Sequence, residues 1–142
     1  VAGVTLGHIK ILRQGEAMKN PYLQILVVDD QSTIRTILKS QLRHMGFTKI
    51  AEASDGESAF DILKTQNIGL VISDWNMPYM TGYELLKAVR ADDSLAATPF
   101  ILISGAVSND NINMAVQLKV DQFMLKPFTL AVLEEKINQV IH

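Results

Sequence analysis

The stretch "LVISDWNMPYMTGYELL", residues 70–86, decides the fold. Leu70, Val71 and Ile72 form an apolar run that stops at a carboxylate, Asp74. Trp75, Asn76, Met77 and Pro78 follow, and helical spacing (Leu85, Leu86, Val89) begins only after Gly82. A short continuous apolar run bounded by turn residues fits a strand buried on both faces, and the helix behind it makes one βα unit.

The same pattern recurs along the chain. "QILVV" (24–28) precedes a helix with Ser32 expected at its N-cap, Ile34, Ile37, Leu38, Leu42 and Met45 on one face, and Gly46 just past its end. "KIAEA" (49–53) precedes a helix over 57–65, and "GLVIS" (69–73) precedes one over 82–91. "FILIS" (100–104) leads to a polar helix over 109–118 with Ile112, Ala115, Val116 and Leu118 as its apolar stripe. "QFMLK" (122–126) leads to a closing helix over 129–140. Five such units in series predict an α/β fold, a five-stranded parallel doubly wound sheet covered by five helices. The common strand order for such a sheet is the flavodoxin-like 2-1-3-4-5.

Residues 21–142 are expected to form this single domain. Residues 1–20 read as an N-terminal leader or extension, poorly ordered in either case, since the first methionine is Met18 and the periodic part begins after Pro21. The composition is that of an ordinary globular protein, 48% hydrophobic and 20% charged. A net charge of -2 gives no reason to expect nucleic acid or an anionic membrane as partner. The lack of cysteine excludes disulfides and thiolate chemistry and is compatible with a cytoplasmic location. No apolar run approaches the roughly 18 residues of a membrane span.

The chemistry lies at the strand tips. The first strand ends in Asp29-Asp30, the third at Asp74, the fourth in Ser104 and the fifth in Lys126. In the order above these four strands are neighbours, and doubly wound sheets carry their functional groups at the carboxyl ends. Each residue alone has an ordinary reading as a turn former, cap or strand stop; together they are far more specific. Clustered carboxylates repel, and a hard divalent cation such as Mg2+ relieves this, typically using one or two carboxylates and a phosphate. Lys126 supplies a compact positive charge for a phosphoryl oxygen, Ser104 a hydrogen bond, and Asp74 a nucleophile able to become an aspartyl phosphate.

With these residues the chain resembles the receiver domain of two-component response regulators, and most closely the single-domain, CheY-like chemotaxis type. "LVVDDQSTIR" is similar to that family's acidic pair and first helix, "VISDWNMPYMTGYELLKAVRAD" to its phosphoacceptor segment, and "KPFTLAVLEEKI" to its fifth-strand lysine and last helix. CheY is itself a standard example of the 2-1-3-4-5 order, so that order is an expectation of the fold class. The resemblance implies Asp74 as phosphoacceptor, Asp29, Asp30 and Asp74 with the backbone carbonyl of Asn76 as Mg2+ ligands, Ser104 as switch hydroxyl, Phe123 as switch aromatic, and Lys126 as the lysine preceding a cis Pro127. It also implies a CheA-like histidine kinase as donor, a flagellar motor switch protein as one partner, a phosphatase as another, and a monomer. The output face would be the fourth helix, fifth strand and fifth helix, with Ile112, Val116, Phe123, Leu125 and Lys136. For Ile112 and Val116, plain core packing is an equal reading. Trp75, beside the acceptor, is expected to be partly exposed.

Departures from the pattern are local. Phe123 stands where chemotaxis members usually have Tyr, and Ala106, Ser108, Asn109 and Asp110 replace the usual acidic and basic residues after the switch hydroxyl. These keep open a stand-alone receiver acting as phosphate sink or adaptor. Rival readings fare worse. An aspartate-nucleophile phosphatase wants an acid where Asn76 stands, an FMN carrier wants a hydroxyl-rich loop where Asp29-Asp30 stand, and G-x-x-x-x-G-K-[ST] is absent.

Overall fold

A computed structural model describes residues 4–6, 9–11, 20–106 and 108–141. The strands and helices, in chain order, are β1 (Val4–Leu6), β2 (Ile9–Ile11), β3 (Gln24–Val28), α1 (Ser32–His44), β4 (Lys49–Ala53), α2 (Gly56–Thr65), β5 (Leu70–Asp74), α3 (Gly82–Ala91), β6 (Phe100–Ser104), α4 (Asn109–Gln117), β7 (Gln122–Leu125) and α5 (Leu130–Val140). β3 to β7 form one parallel sheet in the order β4-β3-β5-β6-β7, the predicted 2-1-3-4-5 when its own strands are counted. β1 and β2 pair antiparallel in a separate two-stranded sheet. The rest of the expected loose leader falls outside the described residues, apart from Asn20.

Strand periodicity divides the core in two. On β3, β5 and β6, Leu26, Val28, Val71, Phe100 and Leu102 face the layer holding Ala59, Leu63, Leu85, Leu86, Val89 and Ala115 of α2, α3 and α4. Ile25, Val27, Leu70, Ile72, Ile101 and Ile103 face the layer of Leu38, Leu42, Leu133 and Ile137 from α1 and α5. This two-sided burial is why β5 and β6 are apolar almost throughout.

Short polar side chains start four of the helices. Asp55, Thr81, Ser108 and Thr129 each accept a backbone N–H from the first turn, and Thr81 with Glu84 completes a capping box. α1 departs from expectation, because Ser32 is its first helical residue and Gln31 holds the cap without a side-chain bond. The turn is organised instead by Asp29, whose Oδ1 accepts the Gln31 N–H at 2.9 Å. Ile37, expected on the inner face of α1, is exposed, since the contact with the sheet follows the line Ile34, Leu38, Leu42 and Met45. The Lys126–Pro127 bond is cis.

Lys119, just beyond α4, has φ 57° in the left-handed region that favours glycine. Lys119→Gly should raise stability by about 0.5–1 kcal/mol. The urea midpoint should rise with an unchanged m-value, and an unchanged or lower midpoint would refute the assigned strain. Among the described residues no helix is long and apolar enough to cross a membrane.

Candidate functional site

The register brings the strand tips level. Val28 pairs with Ser73, Asp74 with Ile103, and Ser104 with Leu125, so Asp29 just beyond β3 and Ser104 at the tip of β6 flank the end of β5, with Lys126 just beyond β7 one strand further out. Asp29 and Asp74 are buried and Asp30 is exposed, yet carboxylate oxygens of all three lie within 4.8 Å of one another. The Lys126 ammonium bridges the two buried acids, 3.0 Å from Asp29 Oδ2 and 3.3 Å from Asp74 Oδ2.

The backbone is locked around these acids. The Asp29 N–H donates to the Ala53 carbonyl at 3.2 Å. Arg35 Nη1 donates to the Asp29 carbonyl at 2.6 Å. The Trp75 N–H donates to Ile103 O at 2.7 Å, and its carbonyl accepts the Gly82 N–H at 2.8 Å. A side chain on Gly82 would place its Cβ 2.1 Å from the Asp74 carbonyl oxygen, so only glycine lets α3 begin against the acceptor strand.

Burial pushes the Asp74 carboxyl above its usual pKa; Lys126 opposes this and the nearby Asp29 reinforces it. Burial works against the Lys126 ammonium, but its bonds to Asp29 and Asp74 outweigh that and raise its pKa. The pocket thus favours Lys126 charged while resisting charge on Asp74, which is what a site short of positive charge does. Three hard oxygen donors within one small radius, one of them a reluctant carboxylate, fit Mg2+.

The other expected residues are placed unevenly. Ser104 is buried at the tip of β6, but its hydroxyl donates to the Ala106 carbonyl at 2.7 Å and accepts the Ala106 N–H at 3.3 Å, within its own loop. Asn76 is exposed on the loop after β5, and its backbone N–H favours the charged form of Asp74. Ile112, Val116 and Leu125 are exposed at 37%, 60% and 56%, so on α4 it is Ala115 that packs inward. Phe123 and Lys136 are half-buried, and Lys136 Nζ lies 3.5 Å from Gln122 Oε1.

Trp75 corrects the expectation of partial exposure. It is buried, stacked on Tyr83 with centroids 5.4 Å apart and tilted against Phe123 at 6.0 Å. Tyr83 and Arg35 were not singled out from the sequence. The i, i+3 spacing of Tyr83 from the inward Leu86 was a usable signal; the reach of Arg35 back to Asp29 leaves none.

The family model for the response regulator receiver domain matches residues 25–138. The chain is a response regulator receiver domain. Among curated relatives, this receiver is 46% identical over 118 residues to the chemotaxis protein CheY of Pseudomonas aeruginosa, covering 83% of this chain and 95% of that one. It is 42% identical over 125 residues to CheY-3 of Vibrio cholerae, covering 88% and 96%. Among solved structures it is similar to the chemotaxis protein CheY4 of Vibrio cholerae, with a TM-score of 0.79 and 28% identity over 84% of this chain and 99% of that one. A receiver protein from Pseudomonas putida gives a TM-score of 0.78 and 33% identity, covering 83% of this chain and 97% of that one. A receiver of this chemotaxis type is a phosphorylatable signalling switch.

Proposed function

We propose that Asp74 accepts a phosphoryl group from the phosphohistidine of a CheA-like histidine kinase in the cytoplasm, with Mg2+ held by Asp29, Asp30, Asp74 and the carbonyl of Asn76. The observation that carries this reading is the convergence of three carboxylates with the Lys126 ammonium lying across two of them. When bound, the metal would neutralise charge on the transferring oxygens. An Asp74 carboxylate oxygen attacks phosphorus, the P–N bond to the donor histidine breaks, and an acyl phosphate forms. Lys126 exchanges part of its hold on Asp74 for a phosphoryl oxygen. Water later attacks the same phosphorus and returns the carboxylate and inorganic phosphate.

The new charge would draw the Ser104 hydroxyl away from Ala106, and Phe123 would turn into the space released. That alters the face carrying Ile112, Val116, Leu125 and Lys136, where exposed apolar side chains suit a protein partner such as a flagellar motor switch. A second reading, a phosphate sink or adaptor for a non-motor partner, is favoured by Ala106 and by Phe123, which lacks a phenol.

A small acyl phosphate donor tests the chemistry. In Mg2+ the intact protein should gain the mass of one phosphoryl group, and in EDTA none. Unchanged mass in Mg2+ would remove the proposal. Beryllofluoride with Mg2+ should change the emission of Trp75, which touches Phe123.

A further inference from the structure

We propose that Arg35 is a positioning residue for the metal-binding acidic turn, anchored in that role by Glu52; this rests on the reading of Asp29, Asp30 and Asp74 as a Mg2+ site. Arg35 lies in α1, with its side chain only 15% exposed. Its Nη1 donates to the carbonyl oxygen of Asp29 at 2.6 Å, and its Nε donates to Glu52 Oε1 at 2.8 Å. A guanidinium presents its donors in a rigid fork, so seating Nε on Glu52 fixes where Nη1 points.

The Asp29 carbonyl belongs to the planar peptide that joins the two acids. Holding its oxygen sets the plane of that peptide and the direction in which Asp30 leaves it. Asp29 is already fixed by its N–H on Ala53, by the Gln31 N–H on Oδ1 and by Lys126 on Oδ2. Asp30 is exposed and sits one peptide further on. Glu52 is the neighbour of Ala53 in β4, so the Arg35–Glu52 and Asp29–Ala53 contacts close one ring through α1, β3 and β4. Lys39 pairs with the other carboxylate oxygen of Glu52 and leaves Oε1 to Arg35.

Charge and position predict opposite signs. Arg35 is a cation close to a cation site, so Coulomb's law alone makes its removal strengthen Mg2+ binding. Loss of a group that orients ligands from outside the coordination shell weakens it, typically 10- to 100-fold.

Calorimetric titration of Mg2+ into the wild type, Arg35→Ala, Arg35→Lys and Lys39→Ala separates these, with melting in EDTA recorded in parallel. Arg35→Ala should bind about 10-fold more weakly. Arg35→Lys, which keeps the charge and loses the fork, should also bind more weakly. Lys39→Ala removes a charge from the same cluster without touching the Asp29 carbonyl, and its affinity should stay within about twofold, the effect of a screened surface charge. If Arg35→Ala does not fold, Arg35→Lys decides alone. Wild-type or tighter binding by the Arg35 variants overturns the inference, as does an equal loss in Lys39→Ala. Failure of the wild type itself to bind Mg2+ overturns the metal site and this inference with it.

Discussion

Asp74→Asn is expected to reduce phosphoryl uptake from a small donor to background while making the metal-free protein more stable than the wild type. The first effect follows from chemistry, since an amide oxygen is too weak a nucleophile to form the acyl phosphate. The second follows from the fold. Asp74 is buried beside Lys126 and Asp29, and burial together with Asp29 lifts its carboxyl pKa above 3.8 despite Lys126. A carboxyl that holds its proton more tightly when folded destabilises the fold once it ionises. Its penalty is absent below 3.8, grows as pH rises toward the folded value, and is complete above it. The amide of the variant never ionises, so at pH 7 in EDTA it should gain on the order of 1 kcal/mol, the scale of a typical substitution. The difference should shrink as the pH is lowered toward 3.8. Mg2+ should stabilise the wild type more than the variant, because the Asp74 carboxylate is one of the proposed ligands. A variant that takes up phosphate would place the acceptor elsewhere. One that melts below the wild type at neutral pH would show that Lys126 already compensates the charge.

Arg90→Ala is expected to cost about 2–4 kcal/mol, the range for removing one partner from a charged, largely buried network. Arg90 leaves the last turn of α3 and gathers two loops at the end of the sheet opposite the acids. It donates to Leu118 O at 3.0 Å, Ala96 O at 3.1 Å, Thr98 O at 2.6 Å and Lys119 O at 3.0 Å. It also meets Asp121 Oδ2 at 3.2 Å, and that oxygen accepts the Phe100 N–H at 2.7 Å where β6 begins. Truncation strands four carbonyls and a carboxylate together. A lysine there offers a point charge without the planar fork, so Arg90→Lys should recover less than half of the loss. Urea melts measure both variants. Mg2+ affinity should stay at the wild-type value in the folded protein, since the clamp is remote from the acids; a loss of less than about 1 kcal/mol would mean that water replaces the guanidinium.

The sheet and its acidic edge were legible because they are written locally. Nearly continuous apolar runs mark β3, β5 and β6, and a polar residue, Asp29, Asp74 or Ser104, breaks each run at its carboxyl end. What escaped depends on partners distant in the chain. Trp75 was expected at the surface beside Asp74, but Tyr83 and Phe123, 48 residues beyond it at the farther, converge on its ring. Ile37 fits the helical stripe of α1, yet the line that packs on the sheet runs through Ile34, Leu38, Leu42 and Met45 and passes it by. The Arg90 clamp spans separations of 6 to 31 residues, and the Arg35 fork joins α1 to β4 across 17. Neither leaves a motif, because a carbonyl acceptor looks the same in every sequence.

The ammonium resting on Asp29 and Asp74 also sets a count of charges. Three carboxylates against one ammonium leave the cluster with two negative charges in excess, and one divalent ion brings it to zero. An acyl phosphate dianion on the proposed acceptor Asp74 would replace a single negative charge with two and take the total to one negative. A phosphorylated site therefore differs from a merely metal-loaded one by a single uncompensated negative charge. The Ser104 hydroxyl, held here within its own loop by Ala106, is the donor proposed to answer it.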